Sequence, residues 1–310
     1  MADISRAELS TIIQEEYSSE LLAAATSNSV ALSAFRRVDM GTRTQNLPVL
    51  ATIPEAGFVA ESATETEGVK PTAQATWGNK QLVAEEIAVI IPIHENAIDD
   101  ATTDVLDELT MQGGAAIGRK LDAAVLFGVD KPASWTSADL LAAAVAASQT
   151  VTVGDVADGD DLAGAILQAA GDVDTAGWEP DTVIAPRGMR YRLANVRNVD
   201  GTPIFLPSLS NAPGAMDSIA GLDGAWASGL VWDRDEAEAM VVDSQRVVIG
   251  VRQDISVKFL TEATVGGINL AERDMVALRF KARYAYVLGN TRTDEGAAKT
   301  PVAAVLPAGS

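Results

Sequence analysis

Residues 98–127 read IDDATTDVLDELTMQGGAAIGRKLDAAVLF, and this stretch decides the architecture. Ile98, Ala101, Val105, Leu109, Ala116, Leu121, Ala124 and Val125 recur at helical spacing, an apolar stripe with a period of about 3.6. The ends agree with the stripe. Asp99, Asp100 and Asp104 stand at the positive end of the helix dipole, and Arg119 and Lys120 stand toward the negative end. Asn96 is a candidate N-cap, and Gly128 followed by Pro132 stops the helix. Thirty residues at about 1.5 Å each make a rod of roughly 45 Å. That is longer than one wall of a pocket requires, so the stretch is read as a structural spine. Gly113, Gly114 and Gly118 interrupt its middle. Each costs about 1 kcal/mol relative to alanine in a helix interior, so either something packs closely there or the rod bends.

The chain around this spine has 310 residues, enough for one large domain or two, and is 47% hydrophobic, enough for a sizeable core. No apolar run approaches the ~18 residues of a membrane span; Leu140–Ala147 is too short and too rich in alanine. Met1–Arg6 lacks the charged-then-apolar pattern of a signal peptide. The absence of cysteine excludes disulfides and thiolate metal sites. These features point to a soluble protein made in a cytoplasm, with no membrane partner. Forty-three acidic residues against 23 basic ones give a net charge of −20. Such a chain repels nucleic acid on average, which argues against specific DNA binding. The charge is compatible with a wall that faces DNA without adhering to it, and equally with simple solubility.

Upstream of the spine, Ile4, Leu9, Ile12, Ile13 and Leu21 interleave with Glu8, Glu15, Glu16 and Glu20 as a helix. The Ser/Ala/Asn-rich segment Ala23–Ala34 offers no anchored core, so residues 1–37 form an arm. Gln45–Thr52 reads as a strand ended by Pro54, and Gln81–Ile93 (QLVAEEIAVIIPI) as one long strand. The intervening Pro54–Asn79 is polar and carries Glu55, Glu61, Glu65 and Glu67 against Lys70, with Lys80 just beyond. A loop of this length in a compact domain is functional, disordered, or a two-stranded ribbon leaving the body. A ribbon is marginal alone and implies a partner surface. Downstream, Asp161–Ala170 is a helix, Asp181–Ala185 a buried strand and Pro186–Val196 a helix. Pro203–Leu206 is a strand and Ser208–Gly224 a loop. Ala239–Asp243, Arg246–Val251, Ile255–Leu260 and Met275–Phe280 are strands, with Arg283–Leu288 continuing the last or adding a fifth. Asn290–Ser310 reads as a tail. Helices followed by clustered strands argue α+β.

Catalytic and ligand-binding chemistry finds no support in its proper context. His94 is the only histidine and there is no G-x-S-x-G elbow, so no catalytic residue is assigned. Gly113–Lys120 (GGAAIGRK) has Arg119 and Lys120 where a phosphate loop has lysine and a hydroxyl, and it lies mid-helix, so no nucleotide or other cofactor is expected. Asp155–Asp161 (DVADGDD) lacks calcium-loop spacing and reads as a helix-capping turn; no metal is expected. Arg187, Arg190, Arg192 and Arg197 cluster on one helix, either as a solvated or neighbour-facing surface or as a nucleic-acid face, the first being favoured.

In this order, the parts resemble the major capsid proteins of tailed phages, the Hong Kong 97-like capsid fold. Ala56–Ile93 with Trp77–Gly78 resembles the family's extended loop and outgoing strand, and His94–Asp100 (HENAIDD) loosely resembles its junction, with Glu95 and Asp99 fitting and His94 departing. Asp122–Gly128 (DAAVLFG) is similar to the family's Asp-x-Ala-x-Leu-x-Gly. Trp178–Pro207 is similar to its strand, Pro-Arg, helix, Asp-x-x-Gly-x-Pro segment, and Val241–Arg252 with Met275–Val287 to its last strands, with Arg279 and Arg283 echoing an Arg-x-x-x-Arg. The resemblance implies an arm at 1–37, an extended β-hairpin loop at 38–97 and a peripheral domain with the spine helix at 98–131. It further implies an axial domain at 132–245, returning peripheral strands at 246–290 and a tail at 291–310. It implies a non-enzymatic subunit forming hexamers and pentamers of an icosahedral virion shell around double-stranded DNA, assembled in the host cytoplasm. Portal and scaffolding proteins are implied partners, with no fused scaffold before Arg37. Inter-subunit contacts fall to Glu61, Glu65, Glu67, Lys70, Trp77, Lys80, Arg187, Arg190 and Asn269, and any lysine–asparagine crosslink to Lys70 or Lys80 with Asn269. Two other readings stand beside this one: a nanocompartment shell of the same fold enclosing a cargo enzyme, and an acidic soluble enzyme or binding protein.

Overall fold

The computed structural model describes residues 29–50, 77–96, 105–154, 162–194, 218–219, 221–261, 263–289, 292–294 and 297–308. Helix α1 (Val30–Ala34) leads into β1 (Arg36–Asp39) and β2 (Thr44–Leu50); β3 (Trp77–Val83), β4 (Glu85–His94) and the long helix α2 (Val105–Leu126) follow. Next come α3 (Leu140–Ala146), β5 (Thr150–Thr152), α4 (Leu162–Thr175), β6 (Thr182–Pro186), α5 (Met189–Ala194), β7 (Ser218–Ile219), β8 (Leu222–Ala227) and β9 (Ala239–Val242). The chain closes with β10 (Val247–Leu260), the short pair β11 (Thr264–Val265) and β12 (Ile268–Asn269), then β13 (Met275–Leu288), β14 (Arg292–Asp294), β15 (Ala297–Lys299) and β16 (Val302–Leu306). The class is α+β.

Two sheets share one core. The first has four strands in the order β1-β10-β13-β4, and the second has six in the order β5-β16-β9-β6-β8-β7. Helix α2 supplies Ile117, Leu121, Ala124 and Val125 to a cluster that takes Leu278, Phe280, Ala282 and Tyr284 from the first sheet. The same cluster takes Ile184, Met240, Val242, Val302 and Ala304 from the second sheet. Alternate residues of those strands, Val183, Ala185, Val241, Ala303 and Val305, point the other way, into a cluster with Ile166, Ala169 and Val173 of α4. A strand covered on both faces can be continuously apolar, since neither side meets water.

This double coverage corrects the reading of 291–310 as a tail. Val302–Leu306 pairs with β9 on one side and β5 on the other and is buried through Val305. Its sequence, VAAVL, lacks the polar alternation that marks a half-exposed strand. Three further expectations change. Gln81–Ile93 is two strands: β3 pairs with β2, β4 pairs with β13, and Ala84 at the break donates its N–H to the Arg43 carbonyl. The two strands expected at 246–260 are one, β10, with irregular register between Val251 and Ser256. Of the two alternatives for Arg283–Leu288 the first holds, since Met275–Leu288 is one continuous strand. Leu222–Ala227 is a strand within the stretch read as a loop up to Gly224, and Leu140–Ala146 is a helix capped by Asp139. Helix α2 is described from Val105, so the seven residues expected before it lie outside the described residues, as do Asp155–Asp161, Pro203–Leu206 and the helix at 4–21. Gly128 stops the helix region as expected, with φ of 69°.

The end of the segment Ala23–Ala34 is anchored, against expectation. Val30, Ala31, Leu32 and Phe35 are buried in the main core. The buried Asp122 carboxylate holds them: Ser29 Oγ donates to its Oδ1 at 2.7 Å, the Ala31 N–H to Oδ1 at 2.9 Å and the Val30 N–H to Oδ2 at 3.0 Å. Ser29 in turn caps α1 by accepting from the Leu32 N–H. Burial pushes the Asp122 carboxyl up to about 6, outweighing the three donors that favour its ionised form.

The first of the spine glycines also has its reason. A Cβ on Gly113 would lie 2.7 Å from the ring of Phe280, so the helix and β13 approach closer than any side chain allows. Two predictions follow from these contacts. Gly113→Ala would gain about 1 kcal/mol from helix propensity alone but lose about 1–3 kcal/mol to overpacking. A lowered melting temperature is expected, reversing sign in a Phe280→Leu background; stabilisation in the wild-type background would exclude the contact as the cause. Asp122→Ala strands buried donors, at about 1–3 kcal/mol in denaturant titrations. Because the folded carboxyl titrates above its value of 3.8 in the unfolded chain, the native state binds this proton more tightly. The stability it contributes is present below about pH 4 and lost as pH rises through about 6; Asp122→Ala removes that slope.

Candidate functional site

The feature that calls for an explanation is the β2–β3 ribbon. Thr44 pairs opposite Val83 and the ladder runs to Leu50 opposite Trp77. Its root is fixed to the face of the first sheet opposite α2, where Met40, Leu82 and Ala84 pack with Val248, Ala285 and Val287. Lys80 crosses onto β13 and donates to the Leu288 and Gly289 carbonyls at 2.8 and 3.0 Å, and its burial lowers the ammonium pKa. Trp135 Nε1 donates to the Val83 carbonyl at 2.9 Å, and Arg43 pairs with Glu85 at 2.9 Å. The root is thus clamped from several sides while the ladder continues outward on two strands.

Of the residues singled out from the sequence, Glu61, Glu65, Glu67 and Lys70 lie outside the described residues. Trp77 ends the described ladder opposite Leu50. Lys80 is engaged within its own chain. Asn269 sits in the small β11–β12 hairpin opposite Thr264, at the start of β13, whereas Lys80 sits at its end. Fourteen residues of β13 separate them by roughly 43 Å, so the two belong to different ends of the sheet. Arg187 and Arg190 do come together, lining one cleft with Ser29, Ser33 and Trp226. The Arg190 guanidinium lies 4.5 Å from the centroid of the Trp226 ring. Arg192 pairs with Glu238 at 2.6 Å, and Arg197 is outside the described residues.

Among the described residues, the candidate chemical groups of the sequence stand apart from one another. His94 ends β4 opposite Met275 and is exposed. The glycine-rich GGAAIGRK lies wholly within α2, where no loop exists to cradle a phosphate. A cleft of about 660 Å³ beside α2, lined by Arg119, Lys120, Phe127, Leu230 and Trp232 among others, contains neither a histidine nor a hydroxyl side chain. Among the described residues no three His, Cys, Asp or Glu side chains converge to hold a metal, and no helix is long and apolar enough to cross a membrane.

What the sequence reading missed is a row of cations on the same sheet face as the ribbon root. Arg279, Lys281 and Arg283 occupy alternate positions of β13, and Lys258 of β10 stands beside Arg279. The signal was present as a period of two in RFKAR.

Comparison with known proteins fits this arrangement. The phage capsid family model matches residues 10–292. The chain belongs to the phage capsid family. A chain solved from Mycobacterium phage Bobi is 56% identical over 100% of both chains, with a TM-score of 0.79. One from Mycobacterium phage Adephagia is 54% identical over 100% of this chain and 99% of that one, also at 0.79. The fold persists at 16% identity in a structure described as "Capsid of native GTA particle computed with C5 symmetry", over 90% of this chain and 91% of that one, with a TM-score of 0.61. No curated protein matches. This is a major capsid protein, a structural subunit of a phage head shell whose place is the virion.

For this capsid protein, Lys80→Met keeps the aliphatic stem and removes the ammonium from two carbonyls. A loss of about 1–3 kcal/mol is expected, read as a lowered unfolding midpoint together with faster proteolysis between β2 and β3. An unchanged midpoint would mean that the root is held by its apolar contacts alone.

Proposed function

We propose that this capsid protein builds an icosahedral shell of hexamers and pentamers around double-stranded DNA, in the Hong Kong 97-like arrangement. The four-stranded sheet with α2 is the peripheral domain. The six-stranded sheet with α4 is the axial domain, with Val302–Leu306 added to it from the end of the chain. The observation that carries the reading is the ribbon: two strands clamped at the root and leaving the body. Such a ribbon is marginal in water unless it lies on another surface, and in a homo-oligomer that surface belongs to the adjacent subunit. Hexamers and pentamers close through the axial domain, where Arg187 and Arg190 with Trp226 offer a compact basic contact.

No reaction is catalysed; the energy of assembly comes from subunit burial. The net charge of −20 limits adhesion of the enclosed DNA. Assembly takes place in the host cytoplasm, with portal and scaffolding proteins as partners. Since Lys80 is occupied at the ribbon root, Lys70 is the loop lysine left to contact a neighbour, with Asn269 at the far end of the peripheral sheet as its counterpart.

Deleting Gly57–Lys70 tests the reading. Wild-type chain expressed with its neighbouring genes gives closed shells in negative-stain micrographs. The deletion gives a protomer with unchanged circular dichroism and no shells. Shells of unchanged stability would remove the ribbon from the assembly contact.

A further inference from the structure

Residues 300–306 sit in the fold as a peptide sits in a groove. Among the described residues, β5 meets the six-stranded sheet only through β16, which lies between it and β9. Val302 stands opposite Val242 of β9, and Leu306 opposite Thr152 of β5. Main-chain bonds reach the segment from both flanks. The Ala304 N–H donates to the Gln149 carbonyl at 3.0 Å, and the Val305 carbonyl accepts from the Glu238 N–H at 2.8 Å. At the mouth, one side chain reads the backbone of one residue twice. Gln149 is 2% exposed. Its Oε1 accepts the Thr300 N–H at 2.7 Å, and its Nε2 donates to the Thr300 carbonyl at 2.9 Å.

The two faces of β16 set the chemistry of what fits. Helices α3 and α4 both pack against it. Val302 and Ala304 enter the main core with Leu140 and Ala144 of α3, while Ala303 and Val305 enter the second cluster with Ile166 and Ala169 of α4. Ala303 and Ala304 are fully buried, so a larger side chain there is overpacked and a charged one is stranded. The space therefore takes an extended, uncharged segment with small residues at its centre. Main-chain bonds give it hold and the side-chain positions give it selectivity, as in peptide recognition by strand addition.

Sequence distance says when it fills. Gln149 and Thr300 are 151 residues apart, and closing so long a loop is offset only once its contacts stand ready. Both flanks must be in place before the segment gains its full bonding. We propose that the space between β5 and β9 is a peptide-binding slot, which residues 300–306 enter after the rest of the sheet has formed and leave as a unit. A chain still being made lacks this seam until those residues exist. Until then β5 is cut off from the sheet and the edge of β9 lies open to any strand of like chemistry. The slot makes no use of the ribbon and does not rest on the reading of a shell.

The test uses full-length chain and a synthetic peptide, KTPVAAVLP, that copies residues 299–307. Chain refolded from denaturant in excess peptide should retain it through gel filtration, with one peptide per chain by native mass spectrometry. The same peptide with Ala303→Asp and Ala304→Asp should not be retained. Equal exclusion of both peptides would overturn the proposal, because the slot would then never stand open. In the native chain, Gln149→Leu should raise hydrogen exchange of the β16 and β5 amides roughly tenfold while leaving β10 and β13 unchanged. A uniform rise through both sheets would overturn separable seating. If Gln149→Leu does not fold, peptide capture by the wild-type chain decides alone. Refolding into dimers that exchange β16 would also overturn the proposal and give the slot to a second copy.

Discussion

One helix has to serve two sheets, and most of the molecule follows from that constraint. The apolar side of α2 meets Leu278, Phe280 and Tyr284 of the first sheet, and the cluster it seeds continues into Ile184, Met240 and Val302 of the second. A helix shared in this way cannot be displaced from one sheet without exposing the other. Gly113 sets the depth of the contact with β13, because the Phe280 ring fills the space where a side chain would be. Asp122, on the same helix, sets where the start of the described chain attaches, since three donors from Ser29, Val30 and Ala31 end on one carboxylate. The spine thus fixes the sheet spacing and the departure point of the N-terminal segment together.

Long-period features of this architecture were legible in the sequence, and the short buried ones were not. The stripe through α2, its stop at Gly128, the outgoing strand ending at His94 and the buried strand after Asp181 all carry patterns that survive without knowledge of neighbours. Val302–Leu306 does not. Wedged between β9 and β5 with apolar layers above and below, it is built of valine, alanine and leucine and looks like a bland tail. The same cause hid Leu140–Ala146, whose alanines carry no period although Asp139 caps the helix. The break at Ala84 was invisible for another reason: β3 and β4 are both extended, and only their partners, β2 and β13, differ. The cations of β13 were half legible. Arg279 and Arg283 were taken only as an echo of a pattern. Their meaning depends on pairing across β10, β13 and β4, which no single strand reveals.

Gly113 shows how a close structural contact can account for a glycine in a helix interior. From the sequence the spine glycines admitted either a bend or a close approach. At Gly113 the approach is sufficient, because the Phe280 ring lies within 2.8 Å of where a Cβ would stand. The β2–β3 ribbon is held by contacts of another kind: at its root, Lys80 and Trp135 donate to backbone carbonyls.

Electrostatics adds a second layer to that core. Apolar burial around α2 is insensitive to salt and makes the protomer one unit. On the sheet face opposite α2 the charges are matched by strand register instead: Lys281 pairs with Glu86 at 2.6 Å, and Arg283 stands opposite Glu86. At the neighbouring position the Arg43 hydrogen bond, with Arg283 adding to it, holds the Glu85 carboxyl below its usual range. Such surface pairs are screened at physiological ionic strength over about 8 Å, so they adjust this face without deciding the fold, which the apolar contacts of α2 have already set.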